Sequence, residues 1–172
     1  MVRHIRLLLL PLILCTATVA VAQQPPVQAP LLDHLVGKWV LQGTVASQQT
    51  THQVNAEWVL GHHYLLIQEV SRELNGKGEP QYQATVYIGW NEATKEYACV
   101  WLDLYGGLTS ASIGVASPKE DELLFVFRNE KGEVDFKNDF VYDAKANTWD
   151  WRMDNVVGGV AKPFARVKLT HN

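Results

Sequence analysis

The chain has 172 residues, with 15 Lys plus Arg against 18 Asp plus Glu and a formal net charge of -3. That acidic balance is poorly suited to nucleic acid or to an anionic membrane surface, so neither is expected as a partner. Two cysteines, Cys15 and Cys99, limit any role for disulfide bonds.

The first segment, MVRHIRLLLLPLILCTATVAVA, sets Arg3 and Arg6 ahead of an apolar run that ends in Ala20-Val21-Ala22. A basic start, a short apolar stretch and a small-x-small step are the features of a secretory signal peptide, here residues 1–22. Pro11 within the run and the lack of stop-transfer charges after it argue against a membrane anchor, and Leu14 before Cys15 is too bulky for a lipidation site. Removal of this segment leaves 13 basic against 18 acidic residues, a net charge of -5, with Cys99 alone and no intrachain disulfide. An exported domain of this kind depends on its hydrophobic core, and about 150 residues suffice for one.

Residues 23–30, QQPPVQAP, carry no apolar periodicity and read as a flexible linker. Leu31, Leu32, Leu35 and Val36 follow at helical spacing, which predicts one or two turns of helix at the start of a domain spanning 31–172. From Lys38 onward the sequence changes to short runs rich in Val, Thr, Tyr, Trp and Phe, separated by NGKG, NEATKE, SPKED, NEKGE and DAKANT. These predict ten strands, at 39–45, 52–60, 64–71, 82–90, 97–103, 109–115, 122–128, 134–142, 148–154 and 163–169. Val54, Ala56, Trp58 and Leu60 alternate with Gln53, Asn55 and Glu57, and Trp149, Trp151 and Met153 alternate with Asp150, Arg152 and Asp154. Such strands bury one face, and a sheet of ten antiparallel strands avoids exposed edges by closing into an up-and-down β-barrel.

Gly37-Lys38-Trp39 opens the first strand and Arg166 lies in the last. This resembles lipocalins and other calycin-type barrels, in which a Gly-x-Trp step begins the first strand and a basic residue of the last strand packs across the tryptophan. The resemblance implies that Arg166 covers Trp39. The segments LVGKW, EWVLGHHYLL, IGWNEATKEYACVWLD and SIGVA, in that order, are similar to the bacterial domain-of-unknown-function 1579 family. Its G-[YFW]-[DN] step, strand-opening aromatic and W-x-D close correspond here to Gly89-Trp90-Asn91, Tyr97 and Trp101-Leu102-Asp103. That resemblance runs from about Leu31 to Leu169 and implies a small, exported lipocalin-like barrel without an assigned activity.

Several residues invite chemistry. His62 and His63 are adjacent, but neighbours on a strand point to opposite faces, so they read as turn residues behind Gly61, which supplies a positive φ. No HExxH or Cys/His spacing adds ligands, His52 is expected to be exposed, and no metal site or cofactor is assigned. His171 near the C-terminus carries an alternative reading, a nitrobindin-like barrel that binds haem. Ser110 and Ser112 lack a nucleophile elbow. An enzyme using an internal carboxylate would draw on Glu57, Glu69 or Asp103, whereas Asp103 also suits a turn before Tyr105-Gly106-Gly107. Cys99 falls among aromatic residues and reads as a buried structural thiol. The distributed signal is aromatic. It points to a small apolar ligand inside the barrel, lined by Trp58, Tyr87, Trp101 and Trp151, with Asp103 or Glu57 as the polar orienting group and no catalytic residue assigned; the alternative is that the rings simply fill the barrel, whose outer face then contacts a partner.

Overall fold

A computed structural model describes residues 29–172. The signal peptide expected over 1–22 and the linker as far as residue 28 lie outside the described residues. Ala29 and Pro30, read as the end of that linker, belong to the fold: Ala29 is buried, and Pro30 opens a single helical turn, α1, Pro30–Asp33. Proline suits that first position because its missing N–H would have no helical partner there.

Ten strands follow: β1 Gly37–Val45, β2 Gln48–Val59, β3 Tyr64–Ser71, β4 Gln83–Asn91, β5 Glu96–Asp103, β6 Ile113–Ala116, β7 Glu122–Arg128, β8 Val134–Asp143, β9 Thr148–Val157 and β10 Val160–His171. Each pairs antiparallel with the next in sequence, and β1 pairs with β10 from Trp39↔His171 to Val45↔Ala165, so the sheet closes on itself. The expected all-β barrel is therefore present. Closure leaves no strand edge open to another chain.

Side-chain alternation sets the inside of the barrel. In β3, Leu65, Ile67, Glu69 and Ser71 are buried while Gln68 and Val70 face out; in β7, Leu123, Phe125 and Phe127 turn inward. Two approaches of backbone to neighbour need glycine. Gly43 in β1 has φ +151, and a methyl group there would fall on the Arg166 carbonyl oxygen and 2.7 Å from Val167 Cα. At Gly114 in β6 a methyl would lie 2.6 Å from the Phe127 ring, which covers the glycine from β7.

One strand is shorter than expected. Residues 109–112 were expected to open the sixth strand but form a turn of 3-10 helix at Ser110–Ser112, in which the Thr109 side chain accepts from Ala111 N and the Ser112 hydroxyl accepts from Thr109 N. Local Ser/Thr bonds of this kind compete with a strand ladder. Conversely, β2 begins at Gln48 and β10 ends at His171, both beyond the expected limits.

The up-and-down order gives the barrel two unlike ends. At one, α1 plugs the opening: Leu31, Leu32 and Leu35 enter the core, and three indole N–H groups bind the segment around α1. Trp39 donates to Leu35 O at 2.8 Å, Trp149 to His34 O at 3.3 Å and Trp58 to Asp33 Oδ1 at 2.8 Å. The tight connections β2–β3, β4–β5, β6–β7 and β8–β9 lie at this end; the longer loops 72–82 and 104–112 lie at the other.

Candidate functional site

Opposite the plug, the barrel holds an open cavity of about 700 Å³. Its apolar wall comes from Phe127, Phe136, Met153 and Phe164, and its polar wall from Thr50, His52, Glu69, Glu73, Tyr82 and Asp103. Trp101 lies between the two. Beneath it, Trp151 contacts Trp101 edge-on with centroids 5.7 Å apart, stacks on Phe140 at 4.3 Å and donates its indole N–H to Asn138 Oδ1.

The polar wall holds two hydrogen-bonded groups, Glu69–His52–Thr50–Glu73 and Trp101–Tyr82–Asp103, joined by the stacking of Tyr82 on His52. His52 on β2 and Glu69 on β3 occupy diagonal positions of one face, since Val54 pairs with Glu69 and His52 with Ser71. They are 4 % and 3 % exposed, and His52 Nδ1 meets Glu69 Oε1 directly. The other ring nitrogen, Nε2, lies 2.7 Å from Thr50 Oγ1, and the Thr50 hydroxyl donates to Glu73 Oε2 at 2.9 Å while Thr51 N donates to Oε1 at 2.8 Å. With the Thr50 proton given to Glu73, its oxygen is the acceptor for His52 Nε2–H. Burial pushes the Glu73 carboxyl up, but hydrogen bonds from its own backbone, Thr50 and Thr51, together with the charge of His52, hold it below its ordinary value. Glu69 Oε2 is buried and has no hydrogen-bond partner among the described residues.

Tyr82, from the loop before β4, stacks against His52 with centroids 5.7 Å apart. Its hydroxyl accepts from Trp101 Nε1 at 3.1 Å and donates to Asp103 Oδ2 at 3.5 Å. Burial, with Glu69's charge adding to it, drives the Tyr82 phenol well above its ordinary value, so the hydroxyl remains a donor. Asp103 also accepts from Tyr105 N at 2.9 Å, which combines the expected turn role with a place in the cavity wall. Leu74, Leu104, Tyr105 and Leu108 stand exposed on the long loops at the open end.

The residues singled out from the sequence divide accordingly. Trp101 and Asp103 line the cavity, and Trp151 supports its floor. Trp58 instead belongs to the plugged end, where its ring stacks on His62 at 4.0 Å. Tyr87 and Glu57 lie on the outer face, Tyr87 36 % exposed, because each alternates with the inward residues of its own strand. His52, expected to be exposed, is buried: β2 begins four residues earlier, which puts His52 within the strand on the face of Val54 and Ala56.

The basic partner of Trp39 is also different. Arg166 points outward and donates to Asp154 Oδ1 at 2.5 Å and to Met153 O at 2.8 Å. His171 takes the place over Trp39, with ring centroids 3.8 Å apart, because β10 runs two residues past the expected end and pairs His171 with Trp39. Its Nε2 lies 2.9 Å from Asn147 Nδ2. His171 is thus engaged at the plugged end, away from the cavity. His62 and His63 lie in the β2–β3 turn, where Gly61 has φ +68 and His62 φ +69. Cys99 is buried, and burial pushes its thiol up to about 12.

Among the described residues, no three or more His, Cys, Asp or Glu side chains come together to hold a metal ion, and no helix is long and apolar enough to cross a membrane. The fold and site define a closed ten-stranded barrel with one mouth and a mixed aromatic and acidic interior. No family model and no curated protein matches the chain.

Proposed function

We propose that the protein is an exported, lipocalin-like carrier that binds a small, largely apolar molecule in the mouth of its barrel. The observation that carries this reading is the 700 Å³ cavity, with Phe127, Phe136, Met153 and Phe164 on one wall and a few polar groups on the other. Concave sites with this division bury most of a ligand's surface and fix its orientation through a few polar contacts. The leader-like residues 1–22 support export, and the Gly-x-Trp start with the motifs from Leu31 to Leu169 supports kinship with the domain-of-unknown-function 1579 family.

The test is a thermal-shift and dye-displacement panel, with the neutral dye N-phenyl-1-naphthylamine as reporter and apolar ligands of varied shape as competitors. Enhanced dye emission that competitors displace is expected, and Phe136→Asp should weaken it about ten-fold or more, since a charge would enter the apolar wall. A panel with neither emission nor shift would sink the reading.

A second reading, a barrel enzyme using an internal carboxylate, is favoured by the contact between Glu69 and His52 beside the cavity. A carboxylate that orients a histidine is a recurrent acid-base arrangement.

A further inference from the structure

Resting on that binding function, we infer that the cavity takes a protonated amine carrying an apolar body. Among the described residues, four carboxylates line it, Glu69, Glu73, Asp103 and Asp135, and neither lysine nor arginine does. The one histidine among those lining residues, His52, has one ring nitrogen against Glu69 and the other against Thr50, which leaves it no N–H for an anion.

A second and independent observation is Glu69 itself. The side chain is almost wholly buried against the cavity, one oxygen is held by His52, and no described residue donates to Oε2. Buried polar atoms in folded proteins are nearly always paired, so an orphaned carboxylate oxygen in a binding cavity marks the place of a donor that arrives with the ligand. An ammonium group supplies both donors and charge, and a charge-assisted bond to carboxylate is stronger than one from a neutral hydroxyl.

The rings nearby suit the same head group. Tyr82 and Trp101 line the cavity beside Asp103 and Glu69, where aromatic rings add attraction for a cation, and the phenylalanine wall opposite receives the apolar remainder. Fatty acids and other carboxylates would meet an excess of carboxylates, of which His52 offsets only its partner Glu69, in a partly enclosed, low-dielectric space. The selection is therefore by head-group charge, whereas the apolar wall accepts many bodies.

Three probes with one ring system and different heads test this: 2-(1-naphthyl)ethylamine, 2-(1-naphthyl)ethanol and 1-naphthaleneacetate, each titrated calorimetrically into the full-length protein at pH 7. The amine is expected to bind about ten-fold tighter than the alcohol, with the acetate weakest. Glu69→Gln and, independently, Asp103→Asn should each reduce the preference of amine over alcohol; the second serves if the first does not fold. An alcohol or acetate that binds as tightly as the amine overturns the amine assignment and leaves the carrier function standing. So does binding of the neutral dye with no binding of the amine, or an amine preference undiminished in folded variants of both carboxylates. Failure of all three probes together with the dye would overturn both readings.

Discussion

His52 and Glu69 form a buried pair whose members each depend on the other. In His52→Leu the Glu69 carboxylate would lose its one partner among the described residues and stay buried, with an expected loss of about 3–5 kcal/mol in urea unfolding. The double variant His52→Leu/Glu69→Leu should regain most of that loss, because a well-packed apolar pair carries no desolvation cost. A single variant as stable as the parent would mean that Glu69 finds another donor or water. Both residues were legible in principle. His52 shares the parity of Val54 and Ala56, and Glu69 that of Leu65 and Ile67. The signal was masked by the polarity of the residues themselves: His52 was expected to open its strand and to be exposed, and Glu69, inside its strand, has no reason to face inward until its partner on the next strand is known. The same parity turns Glu57 and Tyr87 outward, although the apolar residues on both faces of β4 obscure it there.

At the scale of elements, the ten strand runs could be read from alternation and turn chemistry, and β3 and β7 agree with their expected limits residue for residue. The differences lie where local hydrogen bonds or pairing decide. Thr109 and Ser112 close a turn where isolated propensity favours a strand, and β10 extends to His171 because β1 offers it a ladder. That extension also explains why His171 rather than Arg166 covers Trp39. Barrel closure depends on the β1–β10 seam, and at Gly43 the Arg166 backbone of β10 comes too close to leave room for a side chain. Gly43→Ala should cost at least about 1–3 kcal/mol, since the methyl would meet backbone that cannot move without parting the seam. Chemical denaturation measures it; unchanged stability would show that the seam yields without loss.

For the whole molecule, acid-base balance is divided between the interior and the outer wall. Burial, with the charge of Glu122 adding and that of Arg152 opposing, raises the Asp139 carboxyl above its ordinary value. A carboxyl raised by folding costs stability when ionised, and the cost fades as pH falls through the raised value toward the ordinary one. Asp139→Asn should therefore raise the melting temperature at pH 7, with a gain that shrinks on acidification; a gain independent of pH would assign the effect to packing instead. The lowered Glu73 carboxyl acts in the opposite sense: its contribution is present above its ordinary value and is lost as pH falls through the lower one. The plugged end gathers α1 and the last residues of β10, with Asn172 N donating to Lys38 O at 3.2 Å. A tag or surface linker attached at the C-terminus, or just ahead of Ala29, therefore hangs from the pole opposite the cavity. Protein immobilised through the C-terminus would face its opening toward the solution, which makes it suited to capture assays without redesign of the loops.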